Sequence, residues 1–366
     1  MKILNVVGAR PNFMKIAPIM AAYDSCPAIE PVLVHTGQHY DEKMNELFFH
    51  QLGIPEPDIN LEVGSASHAV QTAETMKAFE SVVLQHIPDA VLVVGDVNST
   101  IACGLVAVKL GVNLVHVEAG LRSFDRSMPE EINRVLTDSI SDLLFCTEQS
   151  GLDNLLREGI PEDKIFLVGN VMIDTLLKNK AKAEDSDILN HLNLNGDDFA
   201  VLTLHRPSNV DDTTVFSRIL DALEIIQKDM PVIFPVHPRT GRNLYSTSLG
   251  KRVDAMAGLR LLDPIGYLDF LKLMSCAKVV LTDSGGIQEE TTILRVPCLT
   301  LRENTERPIT AEIGSNRVVG TDTRRIIDAY NRAVDGGYHK PRVPPLWDGH
   351  AAERIVRILL DKLQAP

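Results

Sequence analysis

The chain has 366 residues, 45% hydrophobic and 23% charged, a balance that excludes a disordered or fibrous protein and a length that calls for two lobes rather than one core. A formal net charge of −13 excludes a whole-protein field that would draw in nucleic acid or anionic lipid, so an anionic ligand must be held by local cations. Cys26, Cys103, Cys146, Cys276 and Cys298 are scattered without a C-x-x-C pair and read as reduced, mostly buried thiols of a cytoplasmic protein.

The first apolar run, ILNVV at 3–7, is too short for a signal-peptide core or a membrane span and reads as a strand. PVLVH, AVLVV, NLVHV, LLFC and KIFLV follow at strand length, with helical patterns between them. That alternation predicts a parallel sheet with helices on both faces, and the nearly continuous apolar runs suit strands covered twice. The polar segment KNKAKAEDSDILNHLNLNGDD, 178–198, marks a linker with a boundary near 170–195. A second series begins near residue 199 with FAVLTL, PVIFPV, LRLL, KVVLT and PCLTL. After PRVPP, the stretch GHAAERIVRILLDKL at 349–363 has helical spacing and predicts a terminal helix able to cross back to the first lobe. The expected architecture is α/β: two Rossmann-like, doubly wound parallel-sheet domains at 1–172 and 173–345 facing a central cleft, with a C-terminal helix at 346–366.

Doubly wound sheets bind ligands beyond the carboxyl ends of their strands, so the polar residues after each run are the candidates. GARPNFMK offers Gly8 for a turn, Pro11 for a helix start, and Arg10 with Lys15 as cations that can grip a diphosphate, although cations at a helix start are commonly just solvated. Asp96 follows VLVVG, and Asn98, Ser99 and Thr100 can cap the helix behind it. Glu118 takes the same position after NLVHV, ahead of Gly120 and Arg122. Glu130 and Glu131 open a helix behind Pro129, where the helix dipole favours acids in any case. The coincidence carries the argument: Asp96 and Glu118 at one rim concentrate like charge, which raises one carboxyl pKa and suits general acid–base chemistry.

In the second series His205 and Arg206 follow AVLTL, and His237 with Arg239 repeats the layout after PVIFPV. No H-E-x-x-H, G-x-x-x-x-G-K-[ST] or G-x-G-x-x-G pattern occurs, which argues against a metal, a P-loop and a bound nicotinamide. In TDSGGIQEE, 282–290, Ser284, Gly285 and Gly286 open a helix that offers free N–H groups to a phosphate. Glu290 lies six residues on, a rise of about 9 Å, which is the reach from a diphosphate to the ribose of the same nucleotide. Downstream, RENTERP adds Arg302, Thr305 and Arg307; Glu289 has no assigned role.

GARPNFMK, VGDVNST, HVEAGLRS, MPEEINR, VGNVMID, LTLHRP, PVHPR, LTDSGGIQEE and TERP, in this order, resemble the non-hydrolysing UDP-N-acetylglucosamine 2-epimerases of the glycosyltransferase-B fold. The resemblance implies Asp96, Glu118 and Glu130 for proton transfer and His205 in the catalytic cleft. It implies Arg10 and Lys15 at the diphosphate, with His237 also on the substrate side and Phe270 near uracil. Ser284, Gly285, Gly286 and Arg307 would hold phosphates and Glu290 the ribose. The implied reaction eliminates UDP to a 2-acetamidoglucal and re-adds it, with no redox cofactor and no metal, in a protein commonly dimeric. HRPSNV at 205–210 and QHYD at 38–41 depart from the family's HRRENF and QHRE, near a second, regulatory substrate site, which argues against activation by substrate. A 2-epimerase of UDP-2,3-diacetamido-glucuronate, a hydrolysing 2-epimerase, a glycosyltransferase of the same fold and a non-catalytic sensor are the alternatives.

Overall fold

The apolar runs of the first series become strands of one parallel sheet in a computed structural model that describes residues 1–37, 52–337 and 340–363. The strands are β1 (Lys2–Val7), β2 (Glu30–His35), β3 (Ile59–Asn60), β4 (Ala90–Val94), β5 (Asn113–Ala119), β6 (Leu143–Cys146) and β7 (Ile165–Leu167), in the order β3-β2-β1-β4-β5-β6-β7. β4, AVLVV, is buried at every position, as a strand covered on both faces must be. The two-residue β3 has no apolar run of its own; it forms by pairing Ile59 and Asn60 with Val34 and His35 at the sheet edge.

The second series builds a six-stranded parallel sheet from β8 (Ala200–Thr203), β9 (Val232–Pro235), β10 (Leu259–Leu262), β11 (Val279–Thr282), β12 (Cys298–Thr300) and β13 (Asn316–Val318), in the order β10-β9-β8-β11-β12-β13. Its core packs Leu202, Phe216, Leu220, Phe234, Leu281 and Tyr330. In each sheet the strand order reverses once, at β1/β4 and at β8/β11, and such a reversal opens a crevice beyond the carboxyl ends of the two strands.

The chain divides into two compact units, Met1–Lys178 with the segment from Pro345 onward, and Asn179–Pro344. The first passage between them falls inside a helix, Val171–Glu184, at the start of the polar segment 178–198 and within the expected boundary of 170–195. The C-terminal helix Ala351–Leu363 packs against the helix Arg10–Tyr23. Ahead of it, buried Trp347 donates its indole N–H to the Thr147 carbonyl at 2.9 Å. Asp174 accepts the Ala351 and Ala352 N–H groups at 3.2 and 2.8 Å, satisfying donors that a helix start leaves open. Gly169, at φ +89°, lies so close to Leu346 that a Cβ would sit 2.1 Å from its carbonyl oxygen.

Candidate active site

In the first unit the crevice forms where the turn after β1 meets the turn after β4. Helix α1 (Arg10–Tyr23) starts without a side-chain cap at Ala9, and Asn12 ties the turn instead. Its Oδ1 accepts from Gly8 N and Ala9 N at 3.2 and 3.0 Å, while its Nδ2 donates to the Val94 carbonyl at 2.9 Å. Gly8 has no room for a side chain, since a Cβ would come within 2.0 Å of Ser99 Oγ. Arg10 opens α1, but its side chain lies outside the described residues, as do Gln38 to Asp41.

Lys15, one turn into α1, forms a buried ion pair with Glu118. The sequence places Glu118 after its strand; the structure keeps it inside β5, which runs on to Ala119. At this point the register with β6 shifts, and Glu118 adopts φ +75°, a left-handed conformation costing about 1–3 kcal/mol for a residue with a Cβ. A bulge that turns one side chain to a new direction is a known device for building sites at strand ends. Gly95, at φ +69°, yields space to the same lysine: a Cβ there would lie 2.7 Å from Lys15 Nζ.

Asp96 follows Gly95 in the turn before helix α2 (Asn98–Lys109), whose N-cap is Val97 rather than any of Asn98, Ser99 and Thr100. Its carboxylate pairs with Arg134, and its carbonyl accepts from Asn133 Nδ2 at 3.0 Å. Arg134 and Asn133 belong to helix α3 (Pro129–Ile140), which begins with Pro129 as expected. The two glutamates of its first turn diverge. Glu131 is buried and accepts from Ser123 N, Ser123 Oγ and Phe124 N, each at 2.9 Å, and from Arg134 Nη1 at 2.7 Å. It is thus a clamp on the loop after β5, leaving Glu130, partly exposed, as the chemical candidate of the pair.

A buried network lies behind this rim. His116 on β5 contacts Asp138 Oδ1 at 2.6 Å through Nδ1 and the Gly95 carbonyl at 2.8 Å through Nε2. Asp138 also receives Gly120 N at 3.0 Å and Arg122 Nη1 at 2.6 Å, and Arg122 forks onto Glu158 at 2.8 and 2.6 Å. Burial alone would push the Asp138 carboxyl up, but His116 and Arg122 outweigh it and hold it below the ordinary value.

In the second unit, the crevice at β8/β11 carries His205 and Arg206 after one strand and Asp283 to Gly286 after the other. Helix α4 (Gly285–Leu294) starts at Ser284 with no side-chain cap, so its first N–H groups remain to be satisfied, as an anion site requires. A Cβ on Gly285 would lie 3.0 Å from Glu306 Oε1 and 3.9 Å from Arg307 Cζ, which puts the guanidinium beside this helix start. Three buried or half-buried arginines gather around two buried acids: Arg307 Nε on Glu289 at 2.5 Å, Arg302 on Glu306 at 2.8 Å, and Arg206 on Glu306 at 3.4 Å.

Glu290, one residue beyond Glu289, is buried and accepts from Tyr267 Oη at 2.9 Å. Burial raises its carboxyl to about 7, aided by neighbouring Glu289 and opposed by the Tyr267 hydrogen bond. Tyr267 opens the helix Tyr267–Cys276, which also carries half-buried Phe270. His237 is the N-cap of the helix Pro238–Tyr245, accepting from Arg239 N at 3.2 Å, and its ring centroid stands 6.2 Å from that of His205. Asp283, fully buried, accepts from His205 N, Arg206 N and His205 Nδ1. Burial pushes its carboxyl up, and these partners more than reverse the effect.

Sequence reasoning passed over Arg134, Tyr267 and Asp283. Asp283 was legible, since it occupies the same rim position after β11 that Asp96 approaches after β4. Arg134 stood at i+3 from Glu131, a spacing that puts both on one helix face. Tyr267 gave no signal, because its partner is remote in the chain. Among the described residues no group of three or more His, Cys, Asp or Glu is arranged to hold a metal ion.

A family model described as UDP-N-acetylglucosamine 2-epimerase matches residues 21–360. A UDP-N-acetylglucosamine 2-epimerase of Methanocaldococcus jannaschii is 45% identical over 98% of this chain and 99% of its own. A UDP-2,3-diacetamido-2,3-dideoxy-D-glucuronate 2-epimerase of Pseudomonas aeruginosa is 41% identical over 90% of this chain and 91% of its own. A crystal structure of the Methanocaldococcus jannaschii UDP-GlcNAc 2-epimerase in complex with UDP-GlcNAc and UDP superposes with a TM-score of 0.91 at 43% identity, covering 99% of this chain and 100% of that one.

Gly95→Ala tests the crowding at the first crevice. The left-handed conformation costs a residue with a Cβ about 1–2 kcal/mol, and the methyl must displace Lys15 from its place beside Glu118. A fall in melting temperature of about 2–8 °C is expected for a domain of this size. An unchanged melting curve would show that neither constraint holds at this position.

Proposed function

The chain belongs to the UDP-N-acetylglucosamine 2-epimerase family, and we propose from this premise that it interconverts UDP-N-acetylglucosamine and UDP-N-acetylmannosamine. It is an isomerase of the epimerase class, built from the two Rossmann-like domains of the glycosyltransferase-B fold. The observation that best supports the residue roles is the pair of carboxylates at one sheet reversal, each held by its own cation: Glu118 by Lys15 and Asp96 by Arg134.

The C2 proton of the sugar is barely acidic, having no adjacent carbonyl, so its removal needs a base, a stabilised leaving group and exclusion of water. In our reading one carboxylate among Asp96, Glu118 and Glu130 takes that proton. The C2–H electron pair becomes the C1–C2 double bond of a 2-acetamidoglucal, and the C1–O pair leaves with UDP. Re-addition of the diphosphate oxygen to C1, with a proton delivered to the opposite face of C2, gives the epimer. Arg10 and Lys15 supply the cations for the departing diphosphate, and His205 assists in the same step. Ser284, Gly285 and Gly286 offer N–H groups to the phosphates, with Arg307 as their cation; Glu290 accepts the ribose hydroxyls, Phe270 lies against uracil and His237 lines the substrate side.

Incubation with UDP-N-acetylglucosamine in D2O, followed by NMR, is expected to place deuterium at C2 and to yield the manno epimer without accumulating UDP. Asp96→Asn and Glu118→Gln should each slow this by at least about 100-fold. Stoichiometric UDP with free N-acetylmannosamine would instead reveal a hydrolysing enzyme. The same assay across UDP-sugars altered at C3 and C6 decides between this reading and the activity named for the Pseudomonas aeruginosa relative, and no exchange with any of them would sink both.

Glu290 gives a pH signature. With its folded carboxyl raised to about 7, the folded state holds the proton over the range where the unfolded chain has lost it, so this group's contribution to stability falls as pH rises toward 7. Ribose hydroxyls donate to the ionised form, so UDP binding through Glu290 strengthens as pH rises through about 7. Calorimetry on the wild type and Glu290→Gln should show a pH-dependent difference between them. A constant difference across this range would remove Glu290 from ribose recognition.

We read the protein as a cytoplasmic homodimer. Its five cysteines are free, four of them buried, which suits a reducing compartment, and among the described residues no helix is long and apolar enough to cross a membrane. Three helices that pack in succession, His68–His86, α2 and α3, leave Leu84, Ile87, Val108, Ile132 and Leu136 exposed, Ile87 by 82%. Light scattering should report a dimer that Leu84→Glu with Ile87→Glu dissociates; a monomeric wild type would refute it.

A further inference from the structure

Asp283 is a fully buried carboxylate to which only donors turn. Oδ1 lies 2.9 Å from His205 Nδ1 and 3.1 Å from His205 N. Oδ2 accepts from His205 N at 3.0 Å, Arg206 N at 2.9 Å and Asn209 Nδ2 at 3.3 Å. An ionised carboxylate has no proton to give, so the imidazole nitrogen facing it must carry one. His205 is therefore held as an Nδ1–H donor, and Nε2 is the nitrogen left for chemistry. The side chain is 39% exposed, so the ring is anchored at one end while the other stays accessible.

The position in the fold makes this more than a cap. Asp283 immediately precedes Ser284, the N-cap of the helix read above as the phosphate site, and its two oxygens span from that turn to the turn after β8. The sheet reversal at β8/β11 brings the two turns together, and a single carboxylate sets both the path of the His205 backbone and the tautomer of its ring. We propose that Asp283 is a positioning residue for the epimerisation, fixing His205 as the Nδ1–H tautomer so that Nε2 meets the substrate as an acceptor. This rests on the reading of His205 as part of the catalytic machinery.

Asp283→Asn makes a sharp test because it keeps the shape and changes one donor. The backbone N–H groups of His205 and Arg206 cannot turn away, so the amide oxygen must take the Oδ2 place. The amide N–H2 then faces His205 Nδ1, which has to accept, and the ring switches to the Nε2–H tautomer. Long-range proton–nitrogen NMR on histidine-labelled protein, at a pH where the ring is neutral and with His205→Gln to assign the signal, reads the tautomer directly. The expected result is Nδ1–H in the wild type, Nε2–H in Asp283→Asn, and a fall in kcat of at least about 100-fold with KM held within about threefold.

An Nε2–H tautomer in the wild type overturns the proposal without any variant, as does an Asp283→Asn protein that keeps Nδ1–H. A tautomer switch with unchanged kcat overturns it too, provided that His205→Gln slows the reaction. If His205→Gln is also fully active, the assignment of His205 to catalysis falls, and the positioning role falls with it.

Discussion

Desolvation of carboxylates governs both crevices. A carboxylate taken out of water without a partner is costly enough to protonate or to disrupt the fold, so each buried acid near the strand ends has to be matched by donors. Glu118 has Lys15; Glu131 has Ser123, Phe124 and Arg134; Asp138 has His116, Arg122 and Gly120; Asp283 has His205 and Arg206; Glu289 has Arg307. These pairs are poor evidence of stability, since the attraction largely offsets the desolvation. What they do is fix geometry, because a buried charge tolerates few arrangements of its partners.

The same requirement sorts neighbouring acids into different tasks. Glu130 and Glu131 are adjacent in sequence, yet one turns inward to hold a loop and the other stays partly exposed. Glu289 and Glu290 divide likewise: Glu289 is neutralised by Arg307, whereas Glu290 accepts from the neutral phenol of Tyr267 and has a carboxyl pushed up to about 7. The helix periodicity separates each pair by about 100° around the axis, so two adjacent residues cannot share one environment.

Strain is placed where side chains must be aimed. Glu118 takes a left-handed conformation at a register shift; beside Lys15 the same region falls to Gly95, which adopts it without strain. A regular strand alternates its side chains between two faces and would hold Glu118 to the direction its place in the sequence dictates. The bulge releases it from that alternation, and the ion pair with Lys15 secures the result.

Much of this is legible in the sequence alone. Continuous apolar runs separated by helical patterns determined two parallel sheets, since such runs are stable only when covered on both faces. Turn glycines, Pro129 and the helix start at Ser284 followed from local backbone chemistry, and the order of motifs along the chain determined the family. Short edge strands such as β3 were not legible, because they exist only by pairing with a neighbour already in place. Nor were the partners: His116 with Asp138, Tyr267 with Glu290, and Asp283 with His205 lie 22, 23 and 78 residues apart. Periodicity and spacing report what one segment does to itself, whereas the protonation and direction of a buried group depend on which distant donor the strand order brings to it.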